Sequence, residues 1–178
     1  MKKYLSNDII ILRAIEPEDI ELLYAWENDP EIWEVSHTLV PYSKYILALY
    51  IKNADKDIYE SKQLRLMIDT IDGKTIGAID LFDFDPYHSR AGIGLLIYNR
   101  EDRSKGYAST ALGLLISYCF NKLNIHQLYA NIETGNQISF QLFEKHGFRI
   151  CGTKKEWLRT PSGWQDELML QLIANETI

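Results

Sequence analysis

The chain reads as an α/β domain, a mixed sheet with helices on both faces. Three observations predict it. Stretches of strand length and of helical period follow one another in the order β-α-α-β-β-β-α-β-α-β-β. Asp72-Gly73 sits between two strand-like runs, the strongest short hairpin signal available. The 178 residues are 46% hydrophobic and 25% charged, without repeats or low-complexity linkers, so a single domain over 1–178 can bury a real core.

Each element has a local reason. Residues 9–15, IIILRAI, form a first strand. Pro17-Glu-Asp opens a helix through Trp26, its early acidic residues complementing the dipole, and Asn28-Asp29-Pro30 ends it. The segment EIWEVSHTLVPYS that follows shows no clear period. Residues 43–54 have helical spacing, with Ser43 as N-cap. Strands at 64–70 and 75–84 flank the Asp72-Gly73 turn. Residues 90–98, RAGIGLLIY, form a further strand in which Gly92 and Gly94 suggest a bulge or a close backbone approach. A helix from about 107 to 122 carries Ala111, Leu112, Leu115, Tyr118 and Cys119 on one face. A strand at 127–133 and a helix at 136–146 follow, the latter ended by Gly147 as a left-handed cap. Two last strands flank Pro161-Ser-Gly163.

Composition excludes several functions. A net charge of −6 argues against general affinity for nucleic acid or an anionic membrane, and suits a cationic small substrate. Cys119 and Cys151 have no paired spacing and read as structural thiols of a cytoplasmic protein. The first apolar run is too short for a signal peptide, and no run is long enough to span a membrane. His37, His88, His126 and His146 are scattered, so no metal site is expected.

The segment Arg100-Glu-Asp-Arg-Ser-Lys-Gly106 lies just before the longest helix. A helix start presents unpaired N–H groups and the positive dipole end, and Gly106 lets backbone approach a ligand. With Arg103 and Lys105 alongside, this physics points to phosphate; a solvated basic turn capping a helix is the alternative. No Walker pattern is present, and Ile97 stands where a dinucleotide fingerprint begun at Gly92 and Gly94 needs its third glycine.

Arg103-Ser-Lys-Gly106-Tyr-Ala108 fits the pattern Gln/Arg-x-x-Gly-x-Gly/Ala, and this segment resembles the acetyl-CoA site of the GNAT superfamily of N-acetyltransferases. Asn136-Gln-Ile-Ser139 followed by Phe143-Glu-Lys-His-Gly147-Phe148 is similar to a second segment of that superfamily, and the resemblance covers most of residues 9–172. It implies the GNAT fold, a mixed, mostly antiparallel twisted sheet, and acetyl-CoA as cosubstrate. The N–H groups of Arg103, Ser104, Lys105, Gly106, Tyr107 and Ala108 would hold the pyrophosphate. The backbone of Leu96, Ile97 and Tyr98 would pair with the pantetheine arm, and Asn136, Ser139 and Phe143 would border the cofactor from the other side. Direct transfer to an amine through a ternary complex, and a homo-oligomer, are further implications.

The chemistry needs a base, because an alkyl ammonium is mostly protonated at neutral pH. Asp80, set among Ile79, Leu81 and Phe82, is one candidate, since desolvation would raise its pKa; a pair with an arginine such as Arg90 is the alternative reading. Asp83 is a second candidate, on the opposite face unless a bulge intervenes, and Glu133 a third. Where the superfamily places a tyrosine acid, this chain has Phe143; Tyr98, Tyr129, Ser139 and water are possible substitutes. The look of the 80–90 region and of the C-terminal strands resembles bacterial spermidine/spermine acetyltransferases, which implies a polyamine acceptor. Glu31, Glu34, Asp80, Asp83 and Asp85, with Glu133, would supply negative charge, and Trp33 and Tyr87 aromatic faces. Acetylation of a ribosomal-protein N-terminus and a non-catalytic acyl-CoA sensor are the alternatives.

Overall fold

The computed structural model describes residues 2–36 and 38–174. A short helix α1 (Lys2–Leu5) precedes β1 (Ile10–Ala14); a 3-10 turn, Pro17–Asp19, then leads into α2 (Ile20–Glu27), α3 (Pro30–Ser36), α4 (Lys44–Lys52) and α5 (Ile58–Ser61). β2 (Leu64–Thr70), β3 (Thr75–Asp85) and β4 (Arg90–Ile97) form the middle of the chain. α6 (Tyr107–Asn121), β5 (Gln127–Glu133), α7 (Gln137–Lys145), β6 (Arg149–Thr160) and β7 (Gly163–Ile173) follow. The seven strands lie in the order β1-β2-β3-β4-β5-β7-β6. All neighbours are antiparallel except β4 and β5, which run parallel.

The expected mixed sheet is therefore present, and α1, α3 and α5 are additions to the expected order. The segment without a clear period contains α3. Its start is set locally: Asp29 accepts from the Glu31 N–H at 2.8 Å, its carbonyl accepts from Ile32 and Trp33, and Pro30 occupies the first helical position. A seven-residue helix is too short to display a period, and Asn28-Asp29-Pro30, read as the end of α2, also opens α3.

Period-2 alternation splits the core into two layers. Leu66, Ile68, Ile79, Leu81 and Ile93 share one cluster with Ala111, Leu112, Leu115 and Cys119 of α6 and Phe143 of α7. Met67 and Ala78 lie on the opposite face, in a cluster with Leu23 and Trp26 of α2 and Leu47 of α4. Each fully buried leucine contributes about 1.5–3 kcal/mol relative to exposure, so α6 is anchored chiefly by its apolar stripe.

Two features of β3 and β4 shape the site. Gly92 lies under the Phe82 ring, which a Cβ there would strike; the glycine is required by close approach. Opposite it, the β3–β4 register shifts between Phe82 and Asp85, a bulge in which Asp83 takes a left-handed φ of 49°.

Candidate active site

The site begins where the parallel pairing ends. β4 and β5 pair only through Arg90–Gly92 with Gln127–Tyr129, and beyond these residues the strands part. The Tyr98 N–H donates to the Ile76 carbonyl at 2.9 Å, so Tyr98 and Ile76 are a hydrogen-bonded pair of the antiparallel ladder. Alternation then turns the main-chain groups of Leu96 and Gly94 toward β3 and those of Ile93, Leu95 and Ile97 toward the opening. Of the three residues expected to present backbone to a pantetheine arm, only Ile97 faces that way; Leu96 and Tyr98 are turned to β3.

A cavity of about 330 Å³ fills the opening. Ile93–Leu96 of β4 and Ala130–Glu133 of β5 form its sides. Asn136, Ser139 and Phe143 line it from the layer of α6 and α7, and Trp26, Glu27, Ile32, Ser36, Arg65 and Asp80 from the layer of α2 and α3. A reactant from each side of the sheet can thus meet between the parted strands.

At the far end of β4 the basic segment turns into α6. Ser104 and Gly106 both have left-handed φ, 61° and 85°, an arrangement that turns successive N–H groups toward one concavity. A Cβ at Gly106 would meet no atom within 4 Å. The first-turn N–H groups of α6, beginning at Tyr107 and Ala108, point the same way. These features fit a diphosphate. Arg103 is differently engaged from the sequence expectation: its Nε and Nη2 donate to the carbonyls of Ile97 and Tyr98 at 3.0 and 2.8 Å, latching the loop to the end of β4. Lys105 lies 3.5 Å from Asp102, whose buried carboxylate is also held by Lys74 at 2.7 Å and falls below its usual pKa, mainly through that lysine.

On the opposite wall, Asn136 caps α7 by accepting from the Ser139 N–H at 3.1 Å. Among the described residues the Ser139 hydroxyl has no protein partner, and it lines the cavity one helical turn from Phe143. Phe143 packs edge-on against Phe148, their centroids 5.0 Å apart.

The cavity wall on the side of α2 centres on Arg65. Its Nε and Nη2 donate to the two Asp80 oxygens at 2.8 and 2.9 Å, and Nη1 to Glu27 at 2.7 Å. Burial works against the guanidinium's charge, but Asp80 and Glu27 outweigh it and raise its pKa above the ordinary value. Asp80 does pair with an arginine, though not with Arg90, which faces Asp85 at 3.3 Å. Glu167 on β7 also lines the cavity and pairs with Lys154 at 2.7 Å. Glu27, Arg65 and Glu167 were missed by sequence reading. An arginine within the apolar run Leu64–Ile68 was the one available signal.

Several expected acceptor residues are elsewhere. Asp83, Asp85 and Tyr87 sit at the β3–β4 turn, where β4 still pairs with β5, and none lines the cavity. The bulge does intervene at Asp83, which accepts from the Tyr129 hydroxyl at 3.4 Å. Tyr87 is 89% exposed. Glu31 pairs with Arg100 at 2.8 Å, and the Trp33 indole donates to the Glu27 carbonyl at 2.6 Å. The side chain of Glu34, like His37, lies outside the described residues. Tyr98 donates its hydroxyl proton to Asp29 at 2.8 Å and does not line the cavity. Among the described residues no group of three His, Cys, Asp or Glu could hold a metal ion, and no helix is long and apolar enough to cross a membrane.

Residues 10–149 match the family described as acetyltransferase (GNAT) domain. The chain is 27% identical over 149 residues to the spermidine N(1)-acetyltransferase of Escherichia coli K12, covering 83% of this chain and 76% of that one. Its fold is similar to that of a Vibrio cholerae spermidine N-acetyltransferase crystallised with CoA and spermine, with a TM-score of 0.83 at 24% identity over 94% of this chain and 96% of that one. A dodecameric structure of spermidine N-acetyltransferase from Vibrio cholerae matches with a TM-score of 0.78 at 23% identity, over 94% of this chain and 95% of that one.

Proposed function

The chain belongs to the GNAT acetyltransferase family, and on that premise we propose that it transfers the acetyl group of acetyl-CoA to a primary amine of a polyamine, by direct attack while both are bound. The observation that carries this reading is the cavity open to both layers between β4 and β5. The loop from Arg103 to Ala108 holds the diphosphate, the main chain of Leu95 and Ile97 pairs the pantetheine arm, and the acceptor enters past Glu27, Ile32 and Ser36.

Charge supports a cationic acceptor. Among the described residues four carboxylates, Glu27, Asp80, Glu133 and Glu167, line the cavity against one lining cation, Arg65. The spermidine acetyltransferase named among the relatives supports the same class. Glu133, at the end of β5 on the cavity wall, is the base in this reading, directly or through water. The amine nitrogen attacks the thioester carbonyl carbon, and the Leu95 N–H stabilises the oxygen as charge develops on it. The C–S bond then breaks with its electron pair on sulfur. A thiol pKa of about 8.5 makes that thiolate a competent leaving group without a tyrosine acid, and the Ser139 hydroxyl is placed to donate a hydrogen bond to it. A homo-oligomer, of which the dodecameric relative is an example, belongs to the same reading.

Thiol release from acetyl-CoA tests it, with spermidine, spermine and a peptide bearing a free N-terminus as acceptors. Release above the acceptor-free background with the polyamines is expected, and Glu133→Gln should lower kcat/KM by about 10²-fold. Release with the peptide alone would overturn the polyamine assignment; CoA binding without release for any amine would overturn the transfer.

A further inference from the structure

α3 is a wall of the acceptor side, through Ile32 and Ser36, yet its placement depends on the cofactor side. Its first turn is organised by Asp29. One carboxylate oxygen of Asp29 accepts from the Glu31 N–H, and the other accepts from the Tyr98 hydroxyl at 2.8 Å. Tyr98 directly follows β4, stacks on Trp26 of α2 with centroids 5.1 Å apart, and gives its carbonyl to Arg103 of the diphosphate loop. A second, exposed tie joins the same two regions, Arg100 to Glu31 at 2.8 Å, and exposed pairs contribute little. The sequence of contacts is thus continuous: diphosphate loop, Arg103, Tyr98, Asp29, first turn of α3, acceptor wall.

We infer that Tyr98 and Asp29 are a positioning pair that couples occupancy of the diphosphate loop to the placement of α3, so that bound acetyl-CoA tightens the acceptor site. This rests on the proposed cofactor site. Tyr98 is not the acid of the reaction in this account, since its proton is engaged by Asp29 and its ring lies off the cavity. Burial and the neighbouring Asp29 raise the phenol's pKa, which keeps that hydrogen bond intact across the neutral range. Coupling between two sites commonly changes affinity 5- to 150-fold and requires an element whose state both sites bias; α3 is that element here.

Amide hydrogen exchange with and without CoA tests the coupling without needing the acceptor's identity. In the unaltered chain CoA should slow exchange at 107–110 and also at 30–36, the latter by about fivefold or more. In Tyr98→Phe, which keeps the ring on Trp26, slowing at 107–110 should remain and the gain at 30–36 should vanish. With any amine that is turned over, Tyr98→Phe should raise the acceptor KM by about fivefold, leaving kcat and its pH profile unchanged. Asp29→Asn, which keeps the cap oxygen, should shift the same quantities in the same direction. Equal slowing at 30–36 in Tyr98→Phe, or none in the unaltered chain, overturns the inference. A fall in kcat with loss of its basic limb overturns it too and makes Tyr98 the acid. Absence of slowing at 107–110 overturns the cofactor site itself, and the coupling with it.

Discussion

The proposed diphosphate loop and the proposed acceptor wall are made of different material. At the loop, the working groups are backbone amides, aimed by the left-handed φ of Ser104 and Gly106 and by the start of α6. At the wall, they are side chains that converge from Glu27 on α2, Arg65 on β2, Asp80 on β3, Glu133 on β5 and Glu167 on β7. A backbone device is contiguous and tolerant of side-chain change, except at the residue that must lack one. A converging set of side chains is discontinuous, and each member depends on its partners for charge balance. The two regions should therefore fail differently when altered.

The contrast breaks most sharply at Gly106→Asp. The new side chain would enter the open concavity and set a carboxylate against the diphosphate, while no part of the chain is displaced. A repulsion of a few kcal/mol at partly screened distance should lower acetyl-CoA affinity on the order of a hundredfold by calorimetry, while the left-handed φ of 85° at this position costs the variant about 1 kcal/mol of stability. Affinity within threefold of the original would remove this loop from the cofactor half.

Arg65→Ala probes the other region. Its side chain is 24% exposed, and those of Asp80 and Glu27 are 28% and 20% exposed. Removal leaves two carboxylates partly desolvated without their cation. Because all three retain some solvent, about 1–3 kcal/mol of stability should be lost in urea unfolding, short of the fully buried case. Acetyl-CoA affinity should not move. A matched loss of both would show that the two regions share more structure than their contacts indicate.

The smallest expected effect sharpens the boundary between α6 and α7. Ser109 of α6 hydrogen-bonds His146 Nε2 at 2.8 Å, and burial, with Lys145 nearby, holds the imidazole below its ordinary value of 6.5. The unfolded chain then takes up the proton more readily than the folded one, so stability rises with pH. The contribution is complete above about pH 6.5 and is lost as pH falls through the lower folded value. The urea midpoint should decline on acidification below pH 6.5, and His146→Gln should flatten that decline. An unchanged slope in the variant would assign the dependence to other groups.

The same division decides what could be read in advance. Ser43 as cap of α4 and Gly147 as the left-handed end of α7 with a φ of 91° are legible because each acts within a few residues of itself. Asp80 was suspect as a carboxylate in an apolar run, yet its partner proved to be Arg65, 15 residues back on the neighbouring strand, rather than Arg90. Strand register makes that choice, since Arg65 stands directly opposite Asp80 across β2 and β3. Asp85 and Tyr87 looked like acceptor residues because they follow Asp80 in the chain. The bulge after Phe82 and the continued pairing of Arg90–Gly92 with β5 hold them outside the cavity.

Short-range chemistry in the amino-acid order was enough to determine the seven strands, helices α2, α4, α6 and α7 and their succession, because caps, turns and amphipathic periods act over one to four residues. Where β4 and β5 part, and hence which carboxylates surround the cavity, was decided only in the folded molecule. A parallel pair that ends after three residues is a property of the whole sheet, which packs against α6 and α7 on one face and α2 and α4 on the other.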